Sequence, residues 1–120
     1  MVRIYLTCLL VLTLSCINAQ GKNGGDIKIK TEIFTVLYSQ SKEQPIKLIY
    51  KSSNRVKNVD RGSMNFYTEN KYHTSDKHDY RANVWDKGHL APAATFSDSK
   101  ENLKQTFTFL NCALQNQYLN

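Results

Sequence analysis

The apolar segment at the front decides how much chain is left to fold. Met1-Val2-Arg3 is a short positive start, and Ile4 to Leu14 follows as an apolar stretch of eleven residues broken only by Thr7 and Thr13. Ser15-Cys16-Ile17-Asn18-Ala19 then ends in a small residue before Gln20. This is the layout of a secretory signal peptide with cleavage after Ala19. It is too short for a membrane span, which needs about 20 apolar residues. Removing residues 1–19 leaves about 100 residues, the size of one domain. A two-domain enzyme, a large cofactor-binding fold with its own lid and a sizeable repeat array are excluded. The expected location is secreted, whether periplasmic or extracellular.

Thr13-Leu14-Ser15-Cys16 also resembles an imperfect bacterial lipoprotein box, with Thr where Leu is usual. Used as such, it would put a lipid on Cys16 and anchor the protein to a membrane. Cys8 and Cys16 both belong to the leader, so cleavage at Ala19 leaves Cys112 alone. No internal disulfide can then staple the domain, and its stability must come from packing. A lone cysteine in an exported chain reads as a buried thiol, an intermolecular bond or a partner outside this chain. The full chain carries +6, and losing Arg3 with the leader takes it to +5. Such a balance suits an anionic partner, nucleic acid or a membrane surface.

Gln20 to Asp26 is rich in Gly and Asn, and residues 20–32 read as a flexible lead-in to one domain over 33–120. Ile33-Phe34-Thr35-Val36-Leu37-Tyr38 and Ile46-Lys47-Leu48-Ile49-Tyr50 are β-branched and aromatic, which predicts two strands paired as a hairpin. Residues 52–83 are mostly polar, with a turn signal at Arg61-Gly62-Ser63 and a short apolar patch at Asn65-Phe66-Tyr67. A long irregular stretch of this kind is more typical of a functional loop than of framework. Pro92 should end any regular structure before it. Ser97-Asp98 can cap a short helix over Ser99 to Gln105, with Glu101 placed as in a capping box. Thr106 to Cys112 alternates with the period of a strand. The mixture predicts an α+β fold.

The chemistry-bearing residues cluster from residue 79 onward. Asp86-Lys87-Gly88-His89-Leu90-Ala91-Pro92-Ala93-Ala94 is followed by Phe109-Leu110-Asn111, then Gln115, then Asn120, and is preceded by Asp79-Tyr80. This set resembles the DNA/RNA non-specific endonucleases of the ββα-metal superfamily, whose signature is Asp-Arg-Gly-His followed by two asparagines with a glutamine between them. A weaker similarity runs back through Pro45 and Tyr38-Ser39 to about Phe34. An isolated Asp-x-Gly-His would be weak; the paired asparagines at the family's spacing make the signal specific.

The resemblance implies a ββα-metal (His-Me finger) fold with short antiparallel strands and metal-dependent hydrolysis of phosphodiester bonds in DNA and RNA, without sequence specificity. His89 matches the general base, a role suited to neutral imidazole near neutral pH. Asn120 matches the single protein ligand of a divalent cation, Mg2+ or a substitute such as Mn2+, held through the amide oxygen. Arg61 and Lys87 match groups that contact the phosphate, and with Asn111 they complete the catalytic set around His89. Asp86, Gly88 and Asn111 match positions that hold the site in shape. Lys87 stands where the family most often has Arg, which keeps the charge but loses bidentate geometry. In the family the second asparagine lies near the start of a helix, and a glutamate follows further along. This chain stops at Asn120, so it reads as a C-terminally truncated member with that helix missing or cut short.

Other assignments compete. His73 and His78 lie in a polar loop, where solvated histidines are the default, and a zinc site joining them to His89 would need a fourth ligand and tighter spacing. Phe107 and Phe109 read as core. Lys28, Lys30, Lys47 and Lys51 read as solvated strand faces that add salt-sensitive attraction to phosphates. A catalytically inactive nucleic-acid-binding fragment and an exported lipoprotein are the alternative functions.

Overall fold

The computed structural model describes residues 24–119. The expected signal peptide, Cys8 and Cys16, and the expected metal ligand Asn120 lie outside the described residues.

Strands β1 (Asp26–Lys30), β2 (Phe34–Ser39) and β3 (Gln44–Tyr50) form an antiparallel sheet in the order β1-β2-β3. The β2–β3 pair is the hairpin expected from its two β-branched runs. On β2 the inward residues Phe34, Val36 and Tyr38 are buried, and cross-strand partners Ile29 and Leu48 flank Val36 on the same face. The register shifts between Leu37 and Tyr38, close to where Pro45 pairs with Tyr38, so the residue lacking an N–H sits at an irregularity of the ladder. Thr31 closes the β1–β2 turn: its Oγ1 accepts from the Phe34 amide at 3.1 Å and donates to the Phe34 carbonyl at 3.0 Å.

Strand β1 falls within the expected flexible lead-in over 20–32 and corrects that reading for its described residues, 24–32. Asp26, Lys28 and Lys30 alternate with Ile27 and Ile29, and three charges in five residues mask a period-2 pattern that buries Ile29. A second correction concerns Thr106 to Cys112. Every residue in that run is buried, so no solvent-facing side exists for a half-exposed strand. The run instead contains a 3-10 turn, Phe109–Asn111, before strand β5 begins at Cys112. The Thr108 hydroxyl accepts from the Leu110 amide at 3.3 Å and starts that turn.

Helix α1 spans Lys100–Gln105, and its N-cap is Ser99, which accepts from the Asn102 amide at 3.1 Å. The cap thus falls after the Ser97-Asp98 pair that the sequence suggests. The third helical position holds Asn102 rather than Glu101, so the capping box does not form. Strand β4 (Trp85–His89) pairs antiparallel with β5 (Cys112–Asn116) in a separate two-stranded ladder. Pro92 does terminate regular structure, preceding a 3-10 turn at Ala93–Phe96. Short antiparallel strands with one short α-helix among the described residues make the α+β architecture expected. The core joins the two sheets: Ala91 and Leu110 pack with Ile29, Phe34, Val36, Tyr38 and Phe96. Ala91 is the contact that positions the site, because it fixes the chain two residues beyond His89.

Candidate active site around His89

His89 ends β4 opposite Cys112, and the ladder continues with Gly88 opposite Ala113 and Asp86 opposite Gln115. Gly88 is buried, and a Cβ built there would lie 2.6 Å from Gln115 Oε1, 3.0 Å from Gln115 Cβ and 3.3 Å from the Ala113 carbonyl oxygen. The missing side chain lets β5 close on the strand that carries the histidine. Beyond His89, the Leu90 amide donates to the Asn111 carbonyl at 3.1 Å. The Asn111 side chain then takes over: Oδ1 accepts from the Ala91 amide at 2.7 Å, and Nδ2 donates to the carbonyls of Ala91 at 3.0 Å and Thr106 at 2.8 Å.

Asn111 is fully buried, with both amide hydrogens and its oxygen occupied within the protein. It therefore cannot touch a substrate while holding this geometry. What it does here is hold the turn after His89.

The half-buried His89 ring sits in an aromatic recess. Its centroid is 4.6 Å from that of Phe66 and 4.8 Å from that of Phe107, the latter edge to face. Phe66 lies 5.5 Å from Phe107 and 5.6 Å from Phe109, so three phenyl rings form one cluster. The irregular stretch reaches this cluster because Tyr67 bridges to Thr108: the Tyr67 amide donates to the Phe107 carbonyl at 2.9 Å, and the Phe109 amide to the Tyr67 carbonyl at 3.0 Å. Arg61 is exposed and lays its guanidinium carbon 5.1 Å from the Phe107 centroid. Lys87, also exposed, places Nζ 5.9 Å from the Phe109 centroid. Phe109 in turn stacks on Tyr80 at 6.0 Å.

Burial, and then the nearby Arg61 charge, hold the His89 pKa below its ordinary 6.5. Both disfavour imidazolium, so the ring is neutral at neutral pH. Its Nε2 is buried and has no hydrogen-bond partner. A buried polar atom left unpaired costs free energy, and such costs concentrate at sites that await another molecule. With the proton on Nδ1, Nε2 is a free acceptor.

The structure thus brings Arg61, Lys87 and His89 around one phenylalanine cluster, with Gly88 and Asn111 behind them. Asp86 lies across the ladder from Gln115. Phe66 and Phe107 wall the histidine recess, a role that sequence reasoning misses; the available signal is an apolar Phe66-Tyr67 pair inside a polar stretch. His73 is drawn elsewhere, to Glu43, with Nε2 2.5 Å from Oε1. Among the described residues no group of three or more His, Cys, Asp or Glu is placed to hold a metal ion.

A family model described as DNA/RNA non-specific endonuclease matches residues 15–120. Among solved structures, the chain is similar to one in the crystal structure of the EndoG/EndoGI complex, which concerns the mechanism of EndoG inhibition. The identity is 24%, the TM-score 0.66, and the match covers 78% of this chain and 41% of that one. That likeness is one of fold, and the chain spans less than half the length of this structural neighbour. No curated protein matches the chain.

Proposed function

The chain belongs to the DNA/RNA non-specific endonuclease family, and from that premise we propose that it serves the hydrolysis of phosphodiester bonds in DNA and RNA without sequence preference, with His89 as general base. The observation that carries this reading is the neutral, half-buried His89 with its buried, unpartnered Nε2, beside a phenylalanine cluster that also holds two cations, Arg61 and Lys87. Nε2 takes a proton from the attacking water as that oxygen bonds to phosphorus and the ester P–O bond breaks. The two cations hold the phosphate and offset charge gathering on its oxygens. Asn111 and Gly88 keep the imidazole in place through the backbone on either side of it. Nε2 is shielded from solvent in this arrangement, so an approaching water must displace part of what covers it.

A divalent cation fits the donor chemistry at hand. No cage of acidic residues is needed for Mg2+, which keeps several waters and accepts a single amide oxygen. Asn120, the residue that matches the family's single protein ligand, would hold it through its amide oxygen. When bound, Mg2+ or Mn2+ supplies further stabilisation of negative charge on the phosphoryl group. The leader Met1–Ala19 supports an exported enzyme. A purified mature protein beginning at Gln20 would bear this out, and an acylated Cys16 would place it on a membrane instead.

The test compares wild type and His89→Ala on plasmid DNA and on RNA with magnesium. The expected loss is about 100- to 10,000-fold, the usual worth of a general base. Equal digestion by the two proteins, or digestion unchanged by a chelator, sinks the reading. Salt-dependent binding without cleavage by wild type would favour a non-catalytic nucleic-acid-binding module.

A further inference from the structure

Strand alternation places Trp85, Lys87 and His89 on one face of β4. His89 and Lys87 both lie against the phenylalanine cluster, at Phe107 and Phe109. Trp85 comes next, about 7 Å along the strand from Lys87, and has no part in the proton transfer at His89. It is 38% exposed, unusual for so large an apolar ring. With Tyr80, Asp86 and Lys87 it lines an open recess of about 360 Å³. Asp86 is the one acid of this lining.

The platform is held in position from several sides. The Trp85 amide donates to Asn83 Oδ1 at 3.0 Å, and the Gln117 amide donates to the Val84 carbonyl at 3.0 Å. Tyr80 is fixed by stacking on Phe109 and by its hydroxyl, which accepts from Cys112 Sγ at 3.3 Å. An exposed indole on a fixed strand and an anchored tyrosine ring, beside an exposed ammonium group, match a ligand with a flat π-face joined to a negative charge, which is the chemistry of a nucleotide.

We propose that Trp85 and Tyr80 form a subsite that stacks an unpaired nucleobase, with Lys87 taking the phosphate attached to it. This rests on the reading of the protein as a nuclease and adds to it where the strand lies relative to His89. Because a paired base hides its faces, the subsite favours single-stranded or frayed substrate. It is indifferent to base identity, since every base has a π-face.

Trp85 is the one tryptophan in the chain, so intrinsic emission reports on this position alone. The experiment titrates the full exported protein with short single-stranded DNA in chelator, where no turnover is required, and follows binding in parallel by anisotropy of a labelled oligomer. Emission should be quenched in step with binding. An abasic oligomer of equal length should leave emission unchanged and bind about 5- to 150-fold more weakly for the stacked base lost. Trp85→Ala should weaken the normal oligomer by a similar factor, and Trp85→Tyr should restore most of it. Binding with unchanged emission, or equal quenching by the abasic oligomer, overturns the subsite and leaves the nuclease reading standing. No binding of either oligomer overturns both.

Discussion

Asn111 grips Ala91 from both sides, its side-chain oxygen accepting from the Ala91 amide at 2.7 Å while its nitrogen donates to the Ala91 carbonyl at 3.0 Å. One buried amide thereby fixes the turn after His89 and ties it, through Thr106, to the end of α1. Asn111→Ala strands an N–H and two carbonyls in the interior. With each orphaned group costing about 1–3 kcal/mol, the expected loss is about 3 kcal/mol or more, read as a lower urea midpoint. Asn111→Asp should do no better, because an ionised carboxylate cannot donate to either carbonyl. Near-wild-type midpoints for both variants would show that the grip is dispensable.

Gly88 makes a different demand, since what it supplies is absence. A methyl at this position meets not only the movable end of Gln115 but also its Cβ at 3.0 Å, which moves only with β5 itself. Gly88→Ala should cost about 1–3 kcal/mol as an overpacking change. Cleavage should fall by more than thermal stability explains, because the displaced strand β5 is the ladder partner of the strand that carries the proposed base. A variant measured well below its melting transition with unchanged cleavage would refute this.

Cys112 offers a test of the interior beneath the site. It is a buried free thiol, and burial pushes its pKa up to about 11. The native protein should therefore resist thiol reagents near neutral pH and react fully once unfolded. The raised pKa favours the protonated form in the fold. Its contribution to stability is present below the ordinary thiol value of 9.0 and is lost as pH rises toward about 11. Tyr80, whose hydroxyl meets this thiol, is shifted in the same direction by its own burial and adds to the alkaline loss. Rapid labelling of native protein at neutral pH would contradict the burial.

Much of this arrangement is written in local sequence, and the exceptions have identifiable causes. The β2–β3 hairpin is legible because its inward residues are large and its strands half-exposed, the situation in which alternation carries information. Strand β1 is obscured because its outward face is charged in every position and its neighbours are Gly and Asn. Thr106 to Cys112 fails in the opposite way. Its Thr-Phe alternation is genuine, but every side chain is buried, so period no longer distinguishes a strand from a packed turn. His89, Lys87 and Arg61 are identified by motif and do gather around one cluster. That Asn111 acts through backbone groups and not on the substrate depends on its burial, which spacing does not encode. The aromatic walls of the recess come from two segments about forty residues apart in the chain, Phe66 and Phe107, and only tertiary contact brings them together.

The Arg61–His89 relationship sets the acid side of the activity profile. Neutral His89 is the active form of a base, and burial first, then Arg61, keep its pKa below 6.5. The acid limb of kcat/KM should therefore fall below that value, and the enzyme should hold full activity down to mildly acidic pH. Removing the guanidinium with Arg61→Gln relieves only the smaller influence, so the limb should move upward while remaining under 6.5. On the proposed reading the same substitution also removes a phosphate contact, so the whole profile should drop, by about 10- to 100-fold for a charged hydrogen bond of roughly 1.5–3 kcal/mol. The two effects separate cleanly, because height reports the lost contact and position reports the lost repulsion. Stability tracks the same titration: with the native pKa depressed, His89 favours folding above 6.5, and that contribution is lost as pH falls through the native pKa. A pH series of cleavage rates for wild type and Arg61→Gln decides the matter, and an acid limb that stays put or moves downward would show that Arg61 does not act on the base.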